Sequence, residues 1–182
     1  MNYNEYRDLF DTILTSLNPI APYNDSHYVD YTKLNKARMR RWDGHMELNG
    51  ELVNKLKSIQ QPQHWIIITE HWCGDAAHSV PFLCMMAELN PLFTYEIQLR
   101  DAEPFLINNY LTNGSKGIPK LIVRNENGED LYTWGPRPAE LQIIRDRLMA
   151  EGVDLDDVKT EMQKWYNNDK GRAICKEILE LI

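Results

Sequence analysis

Residues 65–76 read WIIITEHWCGDA. The apolar first part predicts a buried β-strand over 65–69, because β-branched residues dominate it and it is too short for a helix. A helix is predicted over 75–89, because the Asn-Pro pair at 90–91 ends the helical pattern. Cys73 is therefore expected between a strand and a helix, at the N-terminus of the helix.

The predicted position of Cys73 favours the thiolate, which is the reactive form of cysteine. Unpaired backbone N–H groups and the helix dipole stabilise an anion at a helix N-terminus, so a lowered thiol pKa is expected. Glu70 and Asp75 act in the opposite direction, because nearby negative charge raises the pKa of a thiol. The sequence alone leaves open which effect dominates.

The motif contains one cysteine, because Ala76 stands where a Cys-x-x-Cys pair would have its second thiol. Cys84 lies eleven residues after Cys73 on the same predicted helix. That spacing separates them by about 16 Å, whereas a disulfide needs Cα atoms within about 7 Å. We interpret Cys84 as a core residue, and the role of Cys175 stays open. Any thiol chemistry must then use one cysteine at this site.

Residues 65–135 resemble the thioredoxin fold, and the whole chain resembles a thioredoxin-like family of bacterial proteins with a Trp-Cys-Gly-Asp signature. The matching motifs are Trp72-Cys73-Gly74, Pro81, Gly117-Ile118-Pro119, Asn127-Gly128-Glu129 and Trp134-Gly135. The resemblance implies an α/β fold with a central mixed sheet of about four strands flanked by helices, and a cis bond before Pro119. A strand over 95–101 and a helix over 103–111 fall between the motifs in the expected order.

Apolar residues at helical spacing predict further helices before and after this core. Asn49 and Asp154 are predicted helix caps, and Asn167 begins a predicted break before the last helix. We expect one thioredoxin-like domain over 1–182. It comprises a helical N-terminal extension over 1–62, a thioredoxin-like core over 63–138, and C-terminal helices over 139–182.

The resemblance implies that Cys73 is the nucleophile and that neighbouring residues hold the substrate. The implied substrate-binding residues are Trp72, Gly74, Asp75, Ile118, Pro119, Trp134 and Gly135. Arg100 and Arg137 are expected to bring positive charge near the cysteine. For two of these residues a plainer interpretation stays open: Asp75 as an acid complementing the helix dipole, and Trp134 as a packing aromatic.

Two departures from the family concern the release of a mixed disulfide. Ala76 replaces the resolving cysteine, and Ile67 stands where many thioredoxins have a buried aspartate. A mixed disulfide on Cys73 would therefore need an external thiol or a distant cysteine to resolve it. Glutathione is a candidate co-substrate, and no other cofactor is expected.

Composition indicates an ordinary globular protein of 182 residues, 43% of them hydrophobic and 26% charged. The formal net charge of −7 disfavours nucleic acid as a partner. No apolar run predicts a signal peptide or membrane span, and three irregularly spaced cysteines fit the cytoplasm better than a secreted disulfide framework. The oligomeric state stays open.

Two groups of residues have an ordinary explanation and a functional one. A basic group, Lys33, Lys36, Arg38, Arg40 and Arg41, is most often a solvated helix face, and binding of an anionic ligand is the alternative. His71 and His78 flank the cysteine. His78 points about 140° around the helix from Cys73, so no metal site is expected.

Three functions remain. The leading one is a single-cysteine thiol-disulfide oxidoreductase acting on a protein or small-molecule disulfide or thiol, although enzymatic activity is itself uncertain from sequence. The alternative is a non-catalytic module that binds an extended peptide beside Pro119. The third, supported only by Cys73-Gly74, is a protein that shares an iron-sulfur cluster with glutathione.

Overall fold

The structure is a computed structural model that describes all 182 residues. Strand β1 (Gln63–Thr69) runs parallel to β2 (Phe93–Leu99) and antiparallel to β3 (Lys120–Asn125), which pairs antiparallel with β4 (Asp130–Trp134). The strand order β2-β1-β3-β4 makes a four-stranded mixed sheet. The predicted α/β fold is confirmed.

The central strand β1 is buried on both faces of the sheet. Trp65 and Ile67 point to one face and Ile66 and Ile68 to the other, since side chains alternate along a strand, and all four are at most 3% exposed. A strand apolar on both faces needs a layer of helices on each side. The continuous apolar run in the sequence therefore corresponds to the middle layer of the fold.

Seven α-helices surround the sheet. Three precede it: α1 (Tyr3–Thr15), α2 (Ser26–Asp43) and α3 (Gly50–Ser58). Helix α4 (Gly74–Glu88) connects β1 to β2, and α5 (Ala139–Ala150), α6 (Leu155–Asp169) and α7 (Arg172–Leu181) follow the last strand. None of these helices is both long and apolar enough to span a bilayer.

Several predicted helix ends are confirmed and one is displaced. The Asn49 side chain accepts a hydrogen bond from the second residue of α3, and Asp154 does the same for α6. The predicted break at Asn167 is wrong, because α6 continues to Asp169. The chain turns instead at Lys170 and Gly171, whose φ angles are 54° and 80°.

The predicted helix over 103–111 is wrong. Only a short 3-10 helix, Leu106–Asn109, forms there. Phe105 just before it has φ of 54°, in the left-handed region that an α-helix cannot contain. Ile107 is the one fully buried residue of this turn. The segment thus lacks the continuous apolar face that would hold a longer helix against the sheet.

The turn after β4 packs tightly on the loop before β3. Gly135 has φ of 107°, and a Cβ built on it would lie 2.2 Å from the carbonyl oxygen of Pro119. No other residue type fits there without moving the backbone. The Ile118–Pro119 peptide bond in that loop is cis. This close approach carries the next residues of the chain, including Arg137, toward the N-terminus of α4.

Candidate functional site around Cys73

Cys73 lies where the sequence predicts it, immediately before α4. Its backbone is extended, with φ −79° and ψ 117°, and its carbonyl accepts the first helical hydrogen bond from Ala77 at 3.2 Å. The Sγ atom donates a hydrogen bond of 3.3 Å to the carbonyl oxygen of Ile118. The residue is only 8% exposed. The thiol therefore rests in its protonated form against the loop that contains Pro119.

Of the two opposing effects that the sequence leaves open, those that raise the pKa of Cys73 dominate in this resting arrangement. Burial, followed by the negative charge of Asp75, raises the pKa of the thiol to about 12. The backbone N–H of Ala76 and the charge of Arg137 act in the opposite direction but are weaker. The sequence identified the helix terminus correctly, but it did not reveal how completely the sulfur is shielded from water.

Asp75, two residues after the cysteine, is held by three hydrogen bonds from two distant segments. Arg137 donates to Oδ2 from Nε at 3.0 Å and from Nη2 at 2.7 Å. Tyr166 on α6 donates to Oδ1 at 2.7 Å. The Asp75 and Arg137 side chains are 9% and 14% exposed, so this ion pair is largely shielded from solvent. The carboxylate is thus fixed in place beside Cys73.

A cavity of about 440 Å³ opens over the cysteine. Five predicted site residues line it together: Trp72, Cys73, Gly74, Asp75 and Ile118. The volume falls within the range of about 300–1,000 Å³ that is usual for small-molecule sites. The residues that the motif brings together in sequence therefore also share one concave surface.

The other predicted site residues lie outside this cavity. Pro119 is buried and does not line it. Trp134 and Gly135 line a second cavity of about 380 Å³, and the indole Nε1 of Trp134 donates to Glu177 at 2.6 Å. Gly135 contacts the Pro119 loop and does not line the cavity at Cys73.

Walls of the Cys73 cavity come from α2, which precedes the sheet, and from α6, which follows it. Tyr28 on α2 packs edge-on against Trp72, with 5.5 Å between ring centroids. On α6, Gln163 hydrogen-bonds the His78 ring at 3.0 Å, and Lys159 lies 4.9 Å from the ring of Tyr31. The helical spacing predicted that α6 is amphipathic, but nothing in the sequence indicated that it faces Cys73.

The basic group on α2 divides between solvent and cavity. Lys33, Arg40 and Arg41 are exposed, as the solvated-face interpretation predicts, and Lys36 pairs with Asp11. Arg38 lines the Cys73 cavity, and its Nη1 would lie 3.5 Å from a Cβ built on Gly74. Arg100 and Arg137 line the same cavity, in agreement with the expectation that they lie near the cysteine.

The two histidines beside the motif take part in packing. His71 makes a hydrogen bond of 3.0 Å to the carbonyl of Tyr6, and His78 accepts one of 3.0 Å from Trp42. Burial lowers the pKa of each to about 4.

The three cysteines are free and buried, and neither Cys84 nor Cys175 lines the cavity at Cys73. A cluster-bridging role needs an accessible thiolate on Cys73. Because the resting thiol is shielded and protonated, cluster ligation would first require proton loss and exposure of Cys73, as disulfide exchange would.

A family model described as Thioredoxin matches residues 22–149, which is more than half of the chain. No curated protein matches the sequence significantly. A crystal structure of a protein of unknown function, PA1234 from Pseudomonas aeruginosa, is similar over 100% of this chain and 96% of its own, with a TM-score of 0.57 and 16% identity. An HIV 4E10 epitope-scaffold is similar over 100% of this chain and 97% of its own, with a TM-score of 0.55 and 16% identity. At this identity the two structures support the fold alone.

Proposed function

Because the chain belongs to the thioredoxin family, we propose that it is a single-cysteine thiol-disulfide exchange protein with Cys73 as its nucleophile. The observation that carries the proposal is the position of Cys73: it lies at the helix N-terminus in a cavity that contains no second thiol. Such a site can form a mixed disulfide but cannot release it by internal attack.

The exchange has two balanced steps. The Cys73 thiol gives up its proton, and Sγ attacks one sulfur of a disulfide, so that a new S–S bond forms and the partner sulfur leaves as a thiolate. An external thiolate, such as that of glutathione, then attacks the mixed disulfide and returns Cys73 to the reduced form. Overall one half of the substrate is released as a thiolate, and the external thiol forms a mixed disulfide with the other half, which a second molecule of that thiol can reduce.

The raised pKa of Cys73 sets a condition on the first step. At rest the thiol donates to the Ile118 carbonyl, and burial with the charge of Asp75 keeps it protonated. A substrate must therefore enter the cavity and replace that hydrogen bond before proton loss. Arg137 and the N–H groups at the start of α4 are the groups available to stabilise the thiolate when it forms.

Turnover of 2-hydroxyethyl disulfide with glutathione as the reductant tests this proposal. We expect turnover that is lost in Cys73→Ser and retained in Cys84→Ser, because Cys84 is buried on α4 away from the cavity. Mass spectrometry without reductant should find the adduct on Cys73 alone. Equal rates for wild type and Cys73→Ser would refute the proposed function.

A second candidate is the non-catalytic peptide-binding module, favoured by the same raised pKa of Cys73. In that case the thiol is a structural donor to the Ile118 carbonyl and needs no reactivity. A Cys73→Ser variant that captures the same partner as wild type, together with absence of turnover in the assay above, would favour this candidate.

A further inference from the structure

Basic side chains outnumber acidic ones in the lining of the cavity at Cys73, although the whole chain has a net negative charge. The cavity lining includes one acidic side chain, Asp75, and six basic ones, Arg38, Arg100, Lys116, Arg137, Arg145 and Lys159. The formal net charge of the protein is −7. Basic groups are thus concentrated on the one concave surface that contains the thiol, and such a surface attracts anions.

Four of the six cations already have carboxylate partners. Arg137 pairs with Asp75, Arg100 with Asp101, Arg145 with Asp146 and Lys159 with Asp156. Arg38 and Lys116 have no carboxylate within 4.0 Å. The uncompensated positive charge of the cavity therefore lies on these two residues.

Arg38 is held in place by neutral groups. Its Nη1 donates to Asn35 Oδ1 at 2.8 Å, and the buried Asn35 amide donates in turn to the carbonyl of His71 at 2.9 Å. Burial lowers the pKa of the Arg38 guanidinium. Arg38 is only half-buried and lies within the field of Asp75, but it forms no ion pair, so an anion that enters the cavity gains a cation already held in place.

The cavity also restricts the size of what can enter. Residues from α2 and α6 stand on opposite walls, with Lys159 over Tyr31 at 4.9 Å and Tyr166 bonded to Asp75 at 2.7 Å. A small molecule fits within this volume of about 440 Å³ between α2 and α6.

From this combination we infer that the exchange site takes a small thiol or disulfide compound bearing carboxylate or phosphate groups, bound by Arg38 and Lys116. The inference rests on the proposed function and narrows its substrate class. Arg38 lies against Gly74, the residue that follows Cys73, so a compound whose anionic group binds Arg38 is held close to the thiol.

Iodoacetate and iodoacetamide test this inference, because they are nearly equal in size and only the first is negatively charged. Both alkylate a thiolate with loss of iodide. Mass spectrometry of the labelled peptide follows the alkylation of Cys73 by each reagent. The measured quantity is the ratio of the two rate constants. Taking a ratio cancels any change that a substitution makes in the pKa of the thiol.

We expect Arg38→Met and Lys116→Met each to lower the iodoacetate-to-iodoacetamide ratio by about threefold, and the double variant by about tenfold. Arg40→Met is the matched control, since Arg40 is exposed on the same helix and has no ion-pair partner. Its ratio should stay within about twofold of wild type. Added salt should reduce the wild-type ratio toward that of the double variant.

Each outcome separates the inference from the function on which it rests. A ratio unchanged in the double variant overturns anion recognition, and turnover of 2-hydroxyethyl disulfide then leaves the exchange function standing. The expected ratios without any turnover would overturn the exchange function and retain the anion site. If Arg38→Met does not fold, Lys116→Met on the exposed loop still decides the question. Failure of both reagents to alkylate Cys73 in the folded protein overturns both proposals.

Discussion

The Tyr166 hydroxyl on α6 donates a hydrogen bond of 2.7 Å to Asp75 Oδ1 on α4, across 91 residues of sequence. The other carboxylate oxygen accepts from Arg137. The negative charge two residues from Cys73 is therefore fixed from both sides, and its effect on the thiol does not depend on a mobile side chain. The reactivity of Cys73 and the docking of α6 share this one carboxylate.

Asp75→Asn should make Cys73 more reactive. The charge of Asp75 raises the thiol pKa, so its removal lowers that pKa, and the positive charge of Arg137 is then unopposed. A fall of about one unit gives about ten times more thiolate at any pH well below the pKa. The measurement is the rate of alkylation by iodoacetamide against pH. Asp157→Asn, at an exposed residue of α6, is the control. If the pH midpoint of alkylation in Asp75→Asn is unchanged or higher than in wild type, Asp75 does not raise the pKa of Cys73.

Tyr166→Phe should destabilise the fold by about 1–3 kcal/mol, because a buried carboxylate oxygen loses its donor. Urea unfolding measures the change. In the Asp75→Asn background the same substitution should cost less, since a neutral amide needs the donor less. Tyr28→Phe is the control, because the Tyr28 hydroxyl makes no hydrogen bond within the protein, and its effect should stay within about 0.5 kcal/mol. Equal losses of unfolding free energy in Tyr28→Phe and Tyr166→Phe would contradict a stabilising role for the hydrogen bond from Tyr166 to Asp75.

Gly135→Ala should be much more damaging than Gly114→Ala. Both glycines have positive φ, but only Gly135 would place a Cβ against the Pro119 carbonyl, whereas Gly114 has open space. We expect about 1 kcal/mol of backbone strain at Gly114 and at least about 2–3 kcal/mol at Gly135. Thermal unfolding of the two variants gives the comparison, and similar losses would show that the contact with Pro119 is relieved at little cost.

Stability should fall as pH drops from about 6.5 toward 4, in part through His71 and His78. Burial lowers both histidine pKa values to about 4, from 6.5 in the unfolded chain. The unfolded state therefore binds more protons than the native state in this window, and acid favours unfolding. Each histidine contributes up to about 3 kcal/mol, present above pH 6.5 and lost progressively below it.

Urea midpoints at pH 7 and pH 4.5, for wild type and His78→Gln, measure this dependence. The variant should lose less stability on acidification than wild type, because it keeps polar contacts near Trp42 and Gln163 without a group that titrates in this window. A variant whose midpoint falls as much as that of wild type would show that other groups account for the acid sensitivity.

The sequence predicted the fold well because the informative features are local. The apolar run of β1, the position of Cys73 at the start of α4 and the caps at Asn49 and Asp154 each follow from a few neighbouring residues. The helix expected over 103–111 failed because a local pattern could not show that Phe105 adopts a left-handed conformation. Local sequence rules describe the conformation that a segment prefers by itself. Here the connection from β2 to β3 adopts a different conformation.

The site was predicted only in part, because half of it is assembled from distant helices. Trp72, Cys73 and Ile118 could be identified from motifs, but the inward orientation of Arg38 and the closure by Tyr166 depend on how α2 and α6 dock. The burial that raises the Cys73 pKa has the same origin. A polar residue at helical spacing gives no sign of which cavity it faces.

The dependence of the cavity on α6 makes ligand binding and helix docking a single linked equilibrium. Val158 and Tyr166 form part of the cavity wall only when residues Leu155–Asp169 are seated on the core. Because only the state with docked α6 can bind, any undocked fraction lowers the apparent affinity of a compound for the cavity. A bound compound in turn stabilises the docked helix. Amide hydrogen exchange along α6 would thus report occupancy at Cys73 from the far end of the chain, without any probe attached to the thiol.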